Sequence, residues 1–264
     1  RRIRAAAAPH IDLRLGGPIY SHVYRALAES ELSETFIILG IGHTGLPDLF
    51  SISGKHFETP LGRAETDTRF LDRLFASLGE PIFTDDLSHR TEHSIEFQVI
   101  LLQHLFQKRS FRIDAILTSF SYRELTGPKA ADTAAKVDRF VHALLEAESN
   151  SRRRVTLLAS VDLAHIGPRY GDPFNPGRST VSEALEKDRE LLDCLIRSDR
   201  WEFLDYVVAE QDRRRICGFP ALYTLLGFLQ NEKGILLAHG YSEMDPTHSF
   251  VTYAGLVWHT AADR

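Results

Sequence analysis

Residues 36–43, with the sequence FIILGIGH, carry the clearest sign of the protein's architecture. The first six of these residues are apolar and rich in isoleucine, which is typical of a strand covered on both faces by helices. The stretch ends with Gly40, Gly42 and His43. Residues without a side chain let backbone or a bound molecule come close at a strand end. The stretch therefore predicts a buried strand with an imidazole at its C-terminal end.

Three further apolar runs each lead into a histidine or a cluster of polar residues. They are residues 5–10 (AAAAPH), residues 155–165 (VTLLASVDLAH) and residues 235–248 (ILLAHGYSEMDPTH). Neighbouring strands that end at the same edge of a sheet bring the residues after them together. The sequence therefore predicts a site at that edge, built from groups that bind metals or move protons.

The rest of the chain alternates between strand and helix patterns. Apolar residues recur at helical spacing in residues 67–78, 91–105 and 129–147, and residues 81–83 read as a short strand. The last two predicted strands are joined by fewer than a dozen residues without a helix, which predicts an antiparallel pair. We therefore expect a single α/β domain over residues 1–264, with a central mixed β-sheet flanked by helices.

The composition argues against several classes of protein. The formal net charge is −5, whereas binding to nucleic acid requires a concentrated basic surface. No apolar stretch approaches the roughly 20 residues that cross a bilayer, and the first residues lack the apolar region of a secretory signal. The two cysteines, Cys194 and Cys217, are too few for a disulfide framework. We expect a cytoplasmic protein with no nucleic-acid or membrane partner.

Two histidines are candidates for metal binding. Pro9 cannot continue a strand ladder, so we expect the chain to leave the sheet there and present His10 in a loop. A lone histidine in such a place is more often structural than functional, but His10 and His43 are predicted to share one sheet edge. Neutral imidazole is the commonest protein ligand for metals, and two of them need only a carboxylate or thiolate to complete an open site.

Two polar clusters are candidates for proton transfer. His93 and Glu96 are three residues apart at a predicted helix start, so they share one face of that helix. The helix dipole alone also explains a negative charge such as Glu96 in a first turn. Asp162 and His165 follow a predicted buried strand, and an aspartate can orient a nearby imidazole for general acid–base catalysis. We predict catalytic roles for His93, Asp162 and His165.

The loop after the penultimate strand offers a third metal ligand. Glu243, Asp245 and His248 all carry hard or borderline donor atoms. The residues alone do not choose among the three.

Several short motifs, taken in order, resemble the Memo-like family, which is known in prokaryotes as AmmeMemoRadiSam system protein B. They are residues 8–10 (APH), 38–43 (ILGIGH), 92–96 (EHSIE), 160–167 (SVDLAHIG), 216–218 (ICG) and 253–255 (YAG). Each motif is weak alone, but together they cover almost the whole chain. One departure is Ile11 and Asp12 after His10, where the family usually carries Ala-Gly.

The resemblance implies a fold like that of the class III extradiol dioxygenases, the non-haem iron enzymes that open catechol rings. It also implies a site at the C-terminal ends of the strands, with His10 and His43 as metal ligands. The late ligand position of the family aligns with Asp245, and Glu243 competes for that role because dioxygenases of this fold use a glutamate there. The resemblance also implies that His93, Asp162 and His165 line the same pocket and that Cys217 lies close by. We expect Glu96 and Glu243 to line or support this pocket as well.

Two functions follow from the resemblance. In the first, the protein is an oxidoreductase in which Fe(II), or Cu or Zn in its place, is held by His10, His43 and Asp245 and acts on a small-molecule substrate. In the second, it is a non-catalytic adaptor that captures a peptide or partner protein in the same pocket, with a radical-SAM protein among the expected partners. A zinc hydrolase with the same ligands is a third reading. The fold alone does not choose between them, because one fold hosts many functions.

Overall fold

A computed structural model describes residues 1–79, 86–107, 109–230 and 232–260 of the chain. The strands are β1 (Ile3–Ala8), β2 (Thr35–Ile41), β3 (Phe50–Ser53), β4 (Phe57–Thr59), β5 (Gly62–Thr66), β6 (Arg112–Thr118), β7 (Val155–Ser160), β8 (His165–Ile166), β9 (Gly234–Glu243) and β10 (Phe250–His259). The helices are α1 (Leu13–Glu29), α2 (Thr68–Leu78), α3 (Asp86–Thr91), α4 (His93–Leu105), α5 (Tyr122–Thr126), α6 (Ala130–Ser149), α7 (Arg178–Arg197), α8 (Arg200–Glu210) and α9 (Phe219–Phe228).

One mixed sheet organises the described residues into an α/β domain. Seven strands follow one another in the order β4, β5, β6, β2, β7, β1 and β10, while β3 pairs with β6, and both β8 and β9 pair with β10. The five strands β5, β6, β2, β7 and β1 run parallel to one another. The strand β10 is antiparallel to both β1 and β9. The predicted fold class and the antiparallel pair at the end of the chain are therefore confirmed.

The stretch at residues 36–43 provides most of the buried strand β2, between β6 and β7. Helices cover both faces of the sheet and form two large apolar cores, one mainly with α1 and α4 and the other mainly with α2, α6, α7, α8 and α9. Gly40 is needed where α4 crosses β2, because a Cβ atom there would lie 2.7 Å from Ser94 Oγ and from Ile95 Cδ1. Gly40 thereby allows the start of α4 to pack closely against the C-terminal end of β2.

Two expectations about local structure have a different outcome. The helix expected to open at Thr91 begins at His93, because Glu92 is extended and its side chain accepts a hydrogen bond from the backbone N–H of Ser94. Thr91 instead ends the short helix α3. The strand predicted at residues 81–83 lies outside the described residues. None of the helices in the described ranges combines the length and apolar character needed to span a bilayer.

Candidate metal centre

The C-terminal ends of β1, β7 and β2 meet at one edge of the sheet. His10 follows β1, Asp162 follows β7 and His43 follows β2. Because the three strands are adjacent and parallel, the residues that follow them converge. The ring centroids of His10 and His43 are 5.0 Å apart. The structure therefore brings together the two histidines that the sequence pairs as metal ligands.

His10 is buried and held in one tautomer. Its Nδ1 lies 2.9 Å from the carbonyl oxygen of Ser160, and a carbonyl only accepts, so Nδ1 carries the hydrogen. The lone pair is then on Nε2, which faces the cavity beside Cys217. Burial, with help from the nearby His43, lowers the pKa of His10 to about 3. The ring is therefore neutral at physiological pH, as a metal ligand must be.

His43 is oriented by a carboxylate. Its Nδ1 lies 3.0 Å and 3.1 Å from the two oxygens of Glu92, which also accept the backbone N–H groups of His43 and Ser94. Burial disfavours the charged form of Glu92, but these hydrogen bonds outweigh it and lower its pKa to about 2. A carboxylate behind a histidine is the usual support of a metal ligand. Glu92 stands first in the motif at residues 92–96, but the sequence alone does not predict this contact with His43.

Cys217 supplies a third donor atom. Its Sγ lies 3.4 Å from Nε2 of His10, and the donor atoms of His10, His43 and Cys217 all lie within 4.8 Å of one another. Burial, followed by the charge of Asp162, raises the pKa of the thiol well above its usual range. A bound metal ion reverses that preference, because a coordinating thiol is deprotonated. We call these three residues the metal triad.

The close approach of α9 to the sheet places Cys217. Gly218, just before α9, donates its backbone N–H to the carbonyl oxygen of Asp162. A Cβ atom on Gly218 would lie 2.6 Å from Cβ of Val161 and 2.7 Å from that same carbonyl oxygen. Only a residue without a side chain fits between helix and strand here, and this contact sets Cys217 against His10.

The donor set fits a transition metal. Two imidazole nitrogens and one thiolate sulfur are ligands that suit iron, copper and zinc. Three protein ligands leave a coordination position open for a small molecule, as in catalytic sites. The supporting hydrogen bonds to Ser160 and Glu92 leave Nε2 of each histidine as its available donor.

Asp162 is a buried acid beside the metal triad. Its Oδ1 accepts the backbone N–H groups of His10 at 3.0 Å and Ile11 at 3.3 Å, and its Oδ2 lies 3.5 Å from Nε2 of His10. Burial outweighs these hydrogen bonds and raises the pKa of Asp162 to about 6. This carboxyl group can therefore gain or lose a proton near neutral pH.

His165 lines the same cavity, but Asp162 does not orient its ring as the sequence suggested. Nδ1 of His165 lies 3.0 Å from the carbonyl oxygen of Leu163 and 3.1 Å from that of Arg215. These two acceptors fix the tautomer, while Asp162 holds the loop after β1 instead. Burial lowers the pKa of His165, which favours its neutral form.

The two residues predicted at the start of α4 have separate places. His93 stacks on His43 with ring centroids 5.1 Å apart, and it is half-exposed at the mouth of the cavity. Glu96 is exposed and lines a different cavity with Lys55 and Arg90. The helix dipole accounts for an acidic residue at that position.

The structure does not bring Asp245 to the metal triad. Its Oδ1 accepts the backbone N–H groups of Thr247 at 2.9 Å and Ser249 at 3.2 Å. The short loop between β9 and β10 therefore uses this carboxylate to stabilise its own turn. Cys217, and not Asp245, lies beside His10 and His43 in the structure.

The two other candidates from that loop also lie apart from the metal triad. Glu243 accepts from Nδ1 of His248 at 3.1 Å, and both side chains are exposed. Met244 is the residue of this loop that lines the cavity. The loop thus contributes an apolar wall rather than a ligand.

The cavity over the metal triad has a volume of about 650 Å³, within the range of small-molecule sites. Much of its wall is apolar, including Phe97, Met244 and Val251. A second cavity of about 450 Å³ also reaches His43 and Cys217, from the side of β6 and α5. The metal triad is therefore accessible from two directions.

Comparison with known protein families assigns the chain to one of them. A model of the family described as Memo-like protein matches residues 1–257. The chain belongs to the Memo-like protein family.

Curated relatives of this family match most of the chain. A MEMO1 family protein of Aquifex aeolicus is 30% identical over 261 residues, which are 98% of this chain and 64% of the relative. One from Methanosarcina acetivorans is 30% identical, over 89% of this chain and 76% of the relative. One from Thermococcus kodakarensis is 34% identical, over 72% of this chain and 62% of the relative. The chain thus spans less than two thirds of the length of the Aquifex and Thermococcus relatives.

The fold also occurs among solved structures. The crystal structure of an uncharacterized protein from Escherichia coli K12 is similar, with a TM-score of 0.50 and 14% sequence identity. The similarity covers 97% of this chain and 99% of that one. It shows a shared fold.

Proposed function

We propose that this protein is a metal-dependent oxidoreductase whose metal ion is held by His10, His43 and Cys217. The observation that carries the proposal is the convergence of their three donor atoms within 4.8 Å at the ends of two parallel strands and a helix. Each histidine is fixed by a hydrogen bond on its other ring nitrogen, as metal ligands usually are. A surface that only captured a partner protein would need no such convergence of donor atoms.

Iron is the metal that we favour. Imidazole and thiolate ligands also suit copper and zinc, but the resemblance to the class III extradiol dioxygenases points to non-haem Fe(II). A bound iron or copper ion supplies redox chemistry and an open coordination position for a small substrate.

The surrounding residues are suited to move protons. Asp162, with a pKa of about 6, can accept or release a proton next to His10. His93 stands at the cavity mouth, where it can exchange protons with solvent. His165 presents a neutral ring whose Nδ1 is already engaged, so Nε2 is the atom available to a substrate.

The test is the metal content of protein purified without oxygen and then loaded separately with Fe(II), Cu and Zn. We expect stoichiometric metal in the unmodified protein and its loss in His10→Ala, His43→Ala and Cys217→Ala. The matched controls are Cys194→Ala, a buried thiol in α7, and Asp245→Asn, and both should keep the metal.

Three outcomes would contradict the proposal. Protein that holds no metal under any loading condition would rule out the function. Loss of metal in Asp245→Asn with retention in Cys217→Ala would overturn the ligand set. Binding of zinc alone, with no iron or copper at any ratio, would contradict the redox role.

A further inference from the structure

The wall of the cavity over the metal triad carries a cation without an ionic partner. The guanidinium of Arg169 is exposed, and it makes no hydrogen bond or ion pair with any residue that the structure describes. The other charged residues on this wall each have a partner on the protein: Asp12 with Arg14, Asp162 with the N–H groups of His10 and Ile11, Asp212 with the N–H group of Ile216, and Arg215 with Asp172.

A second unused donor stands beside this cation. Tyr170, the next residue in the chain, lines the same cavity, and its hydroxyl has no hydrogen-bond partner within the described ranges. Its ring packs edge-on against His165, with centroids 5.0 Å apart. Burial raises the pKa of Tyr170 to about 12, so the hydroxyl keeps its proton and donates.

Both donors lie on a turn that is held in place. Gly167 and Gly171 flank it with φ angles of 119° and 93°, a backbone conformation that favours glycine. A Cβ atom on Gly167 would lie 2.6 Å from Ser249, and the hydroxyl of Ser249 accepts the backbone N–H of Arg169 at 3.1 Å. The backbone that carries the two donors is therefore anchored to the start of β10.

We propose that the cavity selects small organic carboxylic acids, with the carboxylate bound by the guanidinium of Arg169 and the hydroxyl of Tyr170. The apolar body of the ligand would pack against Phe97 and Met244, and its other end would face the metal triad. The planar fork of a guanidinium matches the two oxygens of a carboxylate. That the ligand is a substrate rests on the proposed function, whereas its recognition does not require the metal.

The charge balance of the wall favours a carboxylate over a phosphate ester. A phosphate dianion brings about two negative charges, but Arg169 is the sole unpaired cation on the described part of this wall. Asp12, Asp162 and Asp212 also line the cavity and would repel the second charge. A singly charged anion is therefore the better match.

The test compares benzoate with its neutral analogue benzamide, which has nearly the same shape. Dissociation constants are measured by ligand-observed NMR titration on metal-free protein, so that neither probe can bind a metal ion. We expect benzoate to bind more tightly, and Arg169→Ala to weaken benzoate by about tenfold or more without changing benzamide. Tyr170→Phe should weaken benzoate less, and Arg169→Lys should recover part of the loss.

The matched control is Arg178→Ala. Arg178 is exposed and unpaired in the described chain, but it lies in the first turn of α7 and outside the cavity. Its loss should leave both probes unchanged, with unaltered thermal unfolding reporting an intact fold in each variant. Equal affinities for benzoate and benzamide would overturn the proposal. So would an equal effect of Arg169→Ala and Arg178→Ala, because that result would reflect surface charge alone.

The same measurements separate this proposal from the proposed function. If benzoate binding depends on Arg169 in a protein that never binds metal, the carboxylate site is supported and the oxidoreductase function is refuted. If the protein binds stoichiometric metal but has equal affinity for benzoate and benzamide, the carboxylate site is refuted and the metal-dependent function remains supported.

Discussion

Glu92 shows how a single side chain outside the metal triad sets its geometry. Its two oxygens hold the ring of His43, and the same carboxylate caps α4 through the N–H of Ser94. We predict that Glu92→Gln lowers metal affinity by roughly 10- to 100-fold, because a charged partner that orients the ligand is lost. The amide oxygen can still accept from the backbone, so the helix cap should survive.

The measurement for Glu92→Gln is a competition titration against a chelator of known affinity. Glu96→Gln is the control, since Glu96 lies on the same helix but faces another cavity. Equal affinities in the two variants would contradict the role assigned to Glu92.

Asp114 is a second instructive residue, at the opposite end of the parallel strands. It is fully buried in β6, its Oδ1 accepts the N–H of Asp67, and its Oδ2 has no partner in the described structure. Burial, and then the charge of Asp67, raises the pKa of Asp114 well above its usual range. The folded protein therefore keeps a proton on Asp114 at pH values where the unfolded chain has released it.

This difference predicts a dependence of stability on pH. Above about pH 4, the stabilising proton on Asp114 makes the free energy of unfolding fall as pH rises towards the folded pKa, by up to about 1.4 kcal/mol per pH unit. Asp114→Asn removes that dependence on pH. Relative to the unmodified protein, the free energy of unfolding of the variant should therefore rise between pH 5 and 7. Urea unfolding at each pH measures the difference, and Asp72→Asn, at an exposed position of α2, should show none. Parallel curves for Asp114→Asn and the unmodified protein would refute the prediction.

At the scale of the element, the packing of α9 against the end of β7 decides where the thiol lies. A side chain on Gly218 would overlap Val161 and the carbonyl oxygen of Asp162. We predict that Gly218→Ala costs about 1–3 kcal/mol of stability through overpacking and also weakens metal binding by moving Cys217. Unfolding by denaturant and metal titration measure the two effects.

Gly177→Ala is the matched control for this substitution. Gly177 stands just before α7, and a Cβ atom added to it would meet no other part of the described chain within 4 Å. Replacing Gly177 by alanine should change stability and metal affinity much less than Gly218→Ala does. A Gly218→Ala variant as stable as Gly177→Ala, and with full metal affinity, would contradict the packing argument.

The sequence reveals those strands and helices whose own residues show a regular apolar pattern. The apolar runs of β1, β2 and β7 are visible as strands, and adjacent parallel strands must end together, so His10, His43 and Asp162 could be placed at one edge. The position of Cys217 depends on a contact between Gly218 and Val161, which are far apart in the chain. No local periodicity reports such a contact.

The loop after β9 shows what the strand pattern leaves out. Its acidic residues lie after an apolar strand, as His10, His43 and Asp162 do, and this favoured Asp245 as a ligand. The strand pattern does not show that the carboxylate of Asp245 accepts hydrogen bonds within its own turn, from the N–H groups of Thr247 and Ser249. Similarly, the pairing of Glu92 with His43 depends on how α4 crosses β2, which Gly40 permits.

At the scale of the molecule, the metal triad ties together three distant parts of the chain. A ligand that binds only the folded state stabilises it by about 2.7 kcal/mol when its concentration is 100 times Kd. Each kcal/mol shifts Tm by roughly 2–4 °C in a domain of this order of size. We therefore predict that metal loading raises Tm by about 5–10 °C and that a chelator reverses the change.

Calorimetry on the loaded and metal-free protein measures this shift. Cys217→Ala should show almost no rise in Tm, because the triad then lacks one of its three donor atoms. An equal rise in Tm for Cys217→Ala and the unmodified protein would mean that the stabilising metal lies elsewhere.

The central place of β1 has a consequence for how the protein is made. This early segment lies between β7 and β10, so its pairing partners are synthesised long after it leaves the ribosome. Contacts between residues so distant in the chain form slowly, because a long loop must close first. His10 cannot take its place until Ser160 and Asp162 have emerged to hold it. The metal triad is therefore completed late in biosynthesis, and a metal ion that needs all three of its donor atoms can bind only a chain that has already folded.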